Sequence, residues 1–173
     1  MIKKAILIWL VVSYSQISLA QICHKDSISE TTPKDRFVNK LNGNMLDSKT
    51  GIVWKVCSEG QRFSSDNGCV GEPLVFESWK QSLDYVKSVN KNNGTSYRIP
   101  NIKELAGLVE RACYEPAINL DVFPETPPNS YITSTPDPYG VRGTSFRYLN
   151  FEVGSEFTPE VNRQMNLRLI VSD

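Results

Sequence analysis

The sequence predicts an α+β fold in which two helices flank a small, irregular antiparallel sheet with long loops and two disulfides. Three observations predict it: short apolar stretches separated by turn residues, two capped segments with helical periodicity, and four cysteines behind a pattern typical of an export signal. A proline-rich stretch between residues 114 and 141 predicts the long loops.

Residues 1–20 predict a secretory signal peptide that is removed after Ala20. Lys3 and Lys4 precede an apolar run over residues 5–12, and Ser18 and Ala20 place small side chains where a signal peptidase reads them. The run is well short of the roughly 20 apolar residues that span a bilayer. We therefore expect an exported product, periplasmic or at the cell surface, with no membrane span after cleavage.

Residues 21–173 then form one domain of ordinary composition. Loss of the two signal lysines leaves 17 basic and 19 acidic side chains, a formal net charge of −2. A near-neutral chain without a lysine or arginine run lacks the basic field that nucleic acid requires. Nucleic acid is therefore not a predicted partner, and the length is ample for one hydrophobic core.

All four cysteines lie after the signal, and an even count in an exported chain predicts two disulfides with three possible pairings. Cys57–Cys69 is preferred because it closes a short polar loop, and Cys23–Cys113 follows by elimination. By loop entropy, these bridges stabilise the folded state by about 3 and about 4.5 kcal/mol respectively. Zinc is not predicted, because there is no Cys-x-x-Cys pair and His24 is the one histidine.

A small antiparallel meander is predicted first, from three apolar stretches separated by two glycine-bearing turns, and residues 58–73 are interpreted as a loop. The stretches are Phe37-Val38, Met45-Leu46 and Ile52-Val53-Trp54.

Two helices are predicted next. Ser78 caps the first, with Gln81 completing a capping box and Gly94 ending the helix. Asn101 caps the second, with Glu104 at the box position and Glu110 on the solvated face. The predicted apolar positions are Trp79, Leu83, Val86 and Val89, then Leu105, Leu108, Val109 and Ala112.

Further strands are predicted at residues 131–133, 146–151 and 167–171. In the last of these, alternation places Leu167, Leu169 and Val171 towards the core. Arg168 and Ile170 are predicted on the opposite face.

Three stretches, in order and with matching spacing, resemble the Lcl C-terminal domain family, a bacterial exported domain formerly of unknown function. The resemblance spans residues 36–171. Its stretches begin with Asp47-Ser-Lys-Thr-Gly-Ile-Val-Trp54, Tyr97-Arg-Ile-Pro-Asn-Ile-Lys-Glu104 and Cys113-Tyr-Glu-Pro-Ala-Ile-Asn-Leu120.

The resemblance implies a fold similar to the C-type lectin-like domain and a role at the cell surface or envelope, since the collagen-like adhesin of this family binds host glycans through it. The chain departs from the family in its first turn, which keeps Gly43 alone, in residues 131–136, which replace a tryptophan, and after Glu156. These departures bear most on ligand identity.

No catalytic constellation is predicted. The one histidine adjoins a cysteine expected in a disulfide, and the carboxylates Glu104 and Glu110 have structural explanations, so we expect a non-enzymatic protein. No cofactor is predicted either. The candidate calcium ligands form no dense acidic motif; they are Asn119, Asp121, Asp137, Asn150 and Glu152.

Candidate ligand-binding residues are Tyr139, Arg142, Arg147 and Tyr148, which could supply an aromatic platform and planar hydrogen-bonding groups for a sugar. The alternative interpretation is that Tyr148 faces the core and the arginines are ordinary surface. The predicted function is an exported binding module for glycan or another cell-surface ligand. The alternative is an assembly subunit of a cell-envelope complex that binds protein.

Overall fold

The computed structural model describes residues 20–138, 146–157 and 164–172, so the predicted signal peptide lies outside the described residues except for Ala20. This part of the chain is α+β and consists mostly of small antiparallel sheets with two helices and two disulfides. No helix in these ranges is long and apolar enough to cross a membrane.

The strands are β1 Ile22–Cys23, β2 Phe37–Asn39, β3 Asn44–Asp47, β4 Val53–Lys55, β5 Arg62–Ser64, β6 Gly68–Val70, β7 Tyr97–Arg98, β8 Cys113–Tyr114, β9 Ser130–Pro136, β10 Phe146–Asn150, β11 Ser155–Phe157 and β12 Ile170–Val171. The helices are α1 Trp79–Asn93 and α2 Ile102–Ala106.

The largest sheet has five strands in the order β2-β3-β4-β12-β7. The predicted meander forms β2, β3 and β4, and β12 lies antiparallel between β4 and β7. The predicted alternation in residues 167–171 is wrong, because Arg168 and Ile170 are as fully buried as Leu167 and Leu169. Residues 167–170 are therefore buried on both faces of the segment, whereas Val171, predicted to face the core, is partly exposed.

The helix caps agree with the predictions in their main features. Ser78 Oγ accepts from Gln81 N, although Gln81 Oε1 accepts from Glu77 N instead of completing a box at Ser78. Asn101 and Glu104 form the full capping box of α2. The second helix is shorter than predicted, because it ends at Ala106. The apolar residues predicted beyond Ala106 are nevertheless buried. Leu108 and Ala112 lie in turns, and Val109 lies in an isolated β-bridge.

The remaining strands form three smaller sheets: β11-β10-β9, the hairpin β5-β6 and the pair β1-β8. The hairpin lies inside residues 58–73, where a loop was predicted. Cys57–Cys69 closes this hairpin, and Cys23–Cys113 joins two residues that face each other across β1 and β8. Both disulfides have the predicted pairing.

The core consists of two main clusters. One surrounds Trp54, which is 1% exposed, and includes Leu105, Phe123 and Phe151. The other surrounds Leu167 and Leu169 and reaches α1, where Trp79 is only partly buried and stacks on Phe146 with ring centroids 3.9 Å apart.

Candidate functional site

Two of the four residues predicted to bind ligand, Arg147 and Tyr148, lie in the part of the chain that the structure describes. Tyr139 and Arg142 lie outside the described residues. Arg147 is half-exposed and forms an ion pair with Glu156. Tyr148 is 7% exposed and packs in the second core cluster, where burial raises the pKa of its hydroxyl. Tyr148 is therefore a core residue, as the alternative interpretation had it.

Arg168, predicted on a face opposite the core, is instead completely buried. Its guanidinium donates to the carbonyls of Lys55 and Val56 and, at 2.7 Å, to Thr126 Oγ1. It also lies 4.9 Å from the centre of the Phe123 ring. Burial lowers the pKa of Arg168. These contacts make Arg168 a donor at the centre of the fold, and it cannot contribute to an ionic surface.

Glu110 also differs from its predicted solvated position, because it is 1% exposed. Its carboxylate accepts from the backbone nitrogens of Thr31, Thr32 and Ala112, and from the Thr32 hydroxyl at 2.8 Å. Burial on its own raises the pKa of Glu110, but these hydrogen bonds outweigh it, and the net pKa lies below the ordinary value. The carboxylate of Glu110 therefore anchors residues 31–32, which are distant in sequence, and it is not paired with Glu104.

The calcium candidates do not converge on one point. Asn119 uses its side chain within the fold, donating to Thr32 O and accepting from Asp121 N. Asp137 is buried, and Asn150 accepts from the backbone of Glu152. Across the described ranges, no group of three or more histidine, cysteine, aspartate or glutamate residues is placed to hold a metal ion.

A cleft that the sequence did not reveal lies between the hairpin β5-β6, the strands β2 and β3, and residues 121–124. We call it the Phe63 cleft; its volume is ≈ 270 Å³. Gly43 in the β2–β3 turn brings these parts together, since its φ is +74° and a Cβ there would lie 2.8 Å from the Cβ of Phe63. The apolar lining consists of Phe37, Met45, Val56, Phe63, Val122 and Pro124.

Three polar side chains, Lys34, Asn39 and Asp121, complete the lining of the Phe63 cleft, and all three are exposed. Asn39 Oδ1 accepts from Leu41 N at 2.8 Å, so the Nδ2 group is the part of the amide left to donate to a ligand. Asp121 contributes an acceptor and a negative charge, which the ammonium of Lys34 balances. The cleft therefore combines an aromatic wall with a donor, an acceptor and no net charge.

A larger cleft of ≈ 620 Å³ lies beside β6 and the first described residues. We call it the proline cleft, after its walls Pro73, Pro116, Pro127 and Pro128. It also carries the carboxylates of Glu72, Glu115 and Glu125, and no lysine, arginine or histidine is among the described residues that line it.

The stretches that carried the family resemblance have structural roles. Asp47 forms a buried ion pair with Arg36, and its carboxylate also accepts from Thr50 Oγ1 and Lys49 N. Glu104 closes the α2 capping box and pairs with Arg98 at 2.8 Å. Cys113 forms a disulfide. The shared residues therefore hold the fold, and the lining of the Phe63 cleft comes mostly from other positions.

The sequence model of the Lcl C-terminal domain matches residues 43–171. No curated protein and no solved structure matches the chain.

Proposed function

The chain belongs to the Lcl C-terminal domain family, and we propose on this basis that it is an exported, non-enzymatic binding module that recognises a cell-surface glycan through the Phe63 cleft. Two disulfides and an exported bacterial domain family support a periplasmic or extracellular location. Small antiparallel sheets with two helices are compatible with a C-type lectin-like fold, which is part of the proposal.

The observation that carries the proposal is the make-up of the Phe63 cleft. Sugars are bound by an aromatic or apolar surface against their C–H groups and by a few side chains that hydrogen-bond their hydroxyls. The cleft provides Phe63 and Met45 for the first purpose, with Asn39 and Asp121 for the second. Its ≈ 270 Å³ is near the lower end of ligand pockets and suits one sugar ring or the end of a chain.

The charges around the cleft favour a neutral glycan over a polyanion. Lys34 and Asp121 balance each other, while Arg36 and Arg168 are buried in the fold. Binding that releases many counterions is steeply salt-dependent, whereas stacking and hydrogen bonding are not. We therefore expect glycan affinity to be weak and largely unchanged between about 50 and 150 mM salt.

A glycan array probed with labelled residues 21–173 tests the proposal at both salt concentrations. We expect neutral glycans to be retained, and Asp121→Ala to lose at least about tenfold in affinity. Asp66→Ala is the matched control, because Asp66 is equally exposed but lies outside the cleft lining. Retention of no glycan by the parent would refute the proposal, as would retention of sulfated glycans alone with loss at higher salt.

A second candidate is a structural or assembly subunit of a cell-envelope complex, and the proline cleft favours it. Its volume and its rigid apolar walls suit a peptide segment, and its three carboxylates suit a basic one. Capture from envelope extract, repeated with Glu115→Lys, tests this candidate, with Glu77→Lys as the exposed control outside the cleft. A partner lost with Glu115→Lys and kept with Glu77→Lys would support it; a partner kept with both would oppose it.

A further inference from the structure

We infer that the Phe63 cleft selects an N-acetylated hexosamine over an unsubstituted hexose, an inference that rests on the proposed glycan-binding function. It concerns the substituent at carbon 2 of the sugar, where an acetamido group replaces a hydroxyl.

The lining of the Phe63 cleft is mostly apolar. Six of the nine side chains in the Phe63 cleft are apolar, and Val56 and Val122 are buried at its base. An unsubstituted hexose carries a hydroxyl at carbon 2, and a hydroxyl that enters such a lining without a partner weakens binding by roughly tenfold. The acetamido methyl is an apolar group that can occupy this lining without such a loss.

The polar side chains of the Phe63 cleft match the hydrogen-bonding groups of an acetamido substituent. An acetamido group presents one N–H donor and one carbonyl acceptor. The Asp121 carboxylate is an acceptor only, and its side chain is exposed at the cleft. The Nδ2 group of Asn39 is the donor left by the bond from Leu41 N to Oδ1. The polar lining therefore offers a partner to each end of an amide, whose donor and acceptor lie on separate atoms, whereas a hydroxyl at carbon 2 must reach both partners from a single oxygen.

The charges that line the Phe63 cleft cancel. Lys34 and Asp121 give the cleft one positive and one negative side chain, so a ligand with a net charge gains from one and loses from the other. This favours the neutral acetylated sugar over the protonated form of the free amine.

Three trisaccharides that differ only at carbon 2 test the inference: the β1,4-linked trimers of N-acetylglucosamine, glucosamine and glucose. Titration of residues 21–173, followed by calorimetry and by the methyl NMR signal of Met45, gives the affinity and the location of binding. We expect the acetylated trimer to bind at least about tenfold more tightly than the glucose trimer, with the amine trimer weaker than the acetylated one.

Variants locate the preference in the cleft. Asp121→Asn keeps the side-chain shape but replaces one acceptor oxygen with a donor, and Asn39→Ala removes the donor. We expect each to reduce the preference for the acetylated trimer, whereas Asp66→Ala keeps it. Circular dichroism and the denaturation midpoint of each variant separate a loss of binding from a loss of folding.

The outcomes separate this inference from the proposed function. Equal affinity for the acetylated and glucose trimers would overturn the inference, while the proposed function stands. Binding of the acetylated trimer that leaves Met45 unshifted and survives Asp121→Asn would also overturn it, because the site would lie elsewhere. If these trimers and every glycan on the array fail to bind, the proposed function fails with it.

Discussion

Two segments of the domain, residues 21–32 and residues 164–172, are attached to the rest of the fold by different kinds of contact. In residues 21–32, the N-terminal strap, Thr32 is the one buried side chain. In residues 164–172, every side chain from Met165 to Ile170 is buried. The strap lies on the surface, whereas the second segment passes through the core and contributes the inner strand β12.

The contacts differ as much as the burial. The strap is held by Cys23–Cys113, by the Gln21 side chain, which donates to Pro116 O and Ile118 O at 2.6 Å, and by the carboxylate of Glu110. Residues 164–172 are held by apolar packing and by the guanidinium of Arg168. A segment with few apolar side chains must rely on particular polar atoms and a covalent bond. We therefore expect that detachment of the strap leaves the rest of the fold intact.

The largest effect is expected at Arg168. Arg168→Ala removes a buried side chain and leaves the carbonyls of Lys55 and Val56 without this donor. We expect the free energy of unfolding to fall by about 3–5 kcal/mol, measured by urea denaturation. Arg147→Ala, at a half-exposed arginine, is the control and should cost less than about 1 kcal/mol. A midpoint for Arg168→Ala close to that of the control would remove the contrast between the two segments.

A smaller and local effect is expected at Glu110. Glu110→Gln removes the charge and one acceptor oxygen from the backbone N–H groups of Thr31, Thr32 and Ala112. We expect a cost of about 2 kcal/mol, seen as faster hydrogen exchange at Thr31 and Thr32 with little change in β4 and β12. Glu30→Gln alters an exposed strap carboxylate and is the matched control. Equal loss of protection in the strap and the sheet would show that they unfold together.

Acid should release the strap for the same reason. The folded pKa of Glu110 lies below its ordinary value of about 4.3, so its contribution to stability is full above that value and is lost as pH falls through the folded pKa. Hydrogen exchange at Thr32, followed from pH 6 downwards, should therefore lose protection in the parent before global unfolding. In Glu110→Gln this step should be absent, and a parent that shows no such step would contradict the assignment.

The smallest effect is expected at Asn101. This residue lies in neither segment, so its effect on stability serves as a reference for the effects at Arg168 and Glu110. Asn101→Ala removes the acceptor for Glu104 N at 2.9 Å and should cost about 1 kcal/mol by denaturation midpoint. Asn92→Ala, at an exposed helical position of α1, is the control and should cost less. An unchanged midpoint for Asn101→Ala would mean that the cap contributes nothing to α2.

Sequence reasoning succeeded where the physics is local. Caps, turns and the short Cys57–Cys69 loop depend on residues a few positions apart, so the predictions at Ser78, Asn101 and Gly94 agree with the structure. It failed where distant segments decide the environment. Glu110 and Arg168 have ordinary surface patterns in the sequence and are buried because residues 31–32 and 55–58 are brought to them.

The candidate site shows the same limit. The lining of the Phe63 cleft comes from four separate parts of the chain, so no short motif could reveal it. A usable signal was Phe63 itself, an aromatic residue inside a disulfide-closed stretch that was otherwise polar.

The position of β12 in the five-stranded sheet determines when that sheet can form. Its neighbours β4 and β7 are separated by more than 40 residues of chain, and neither pairs with the other; each pairs with Ile170. During synthesis, β2, β3, β4 and β7 are therefore complete long before the strand that joins them has left the ribosome. Both disulfides can close earlier, because all four cysteines precede residue 114. Neither bridge depends on β12, so a chain that stops before residue 170 has the cysteines of both bridges but leaves β4 and β7 unjoined.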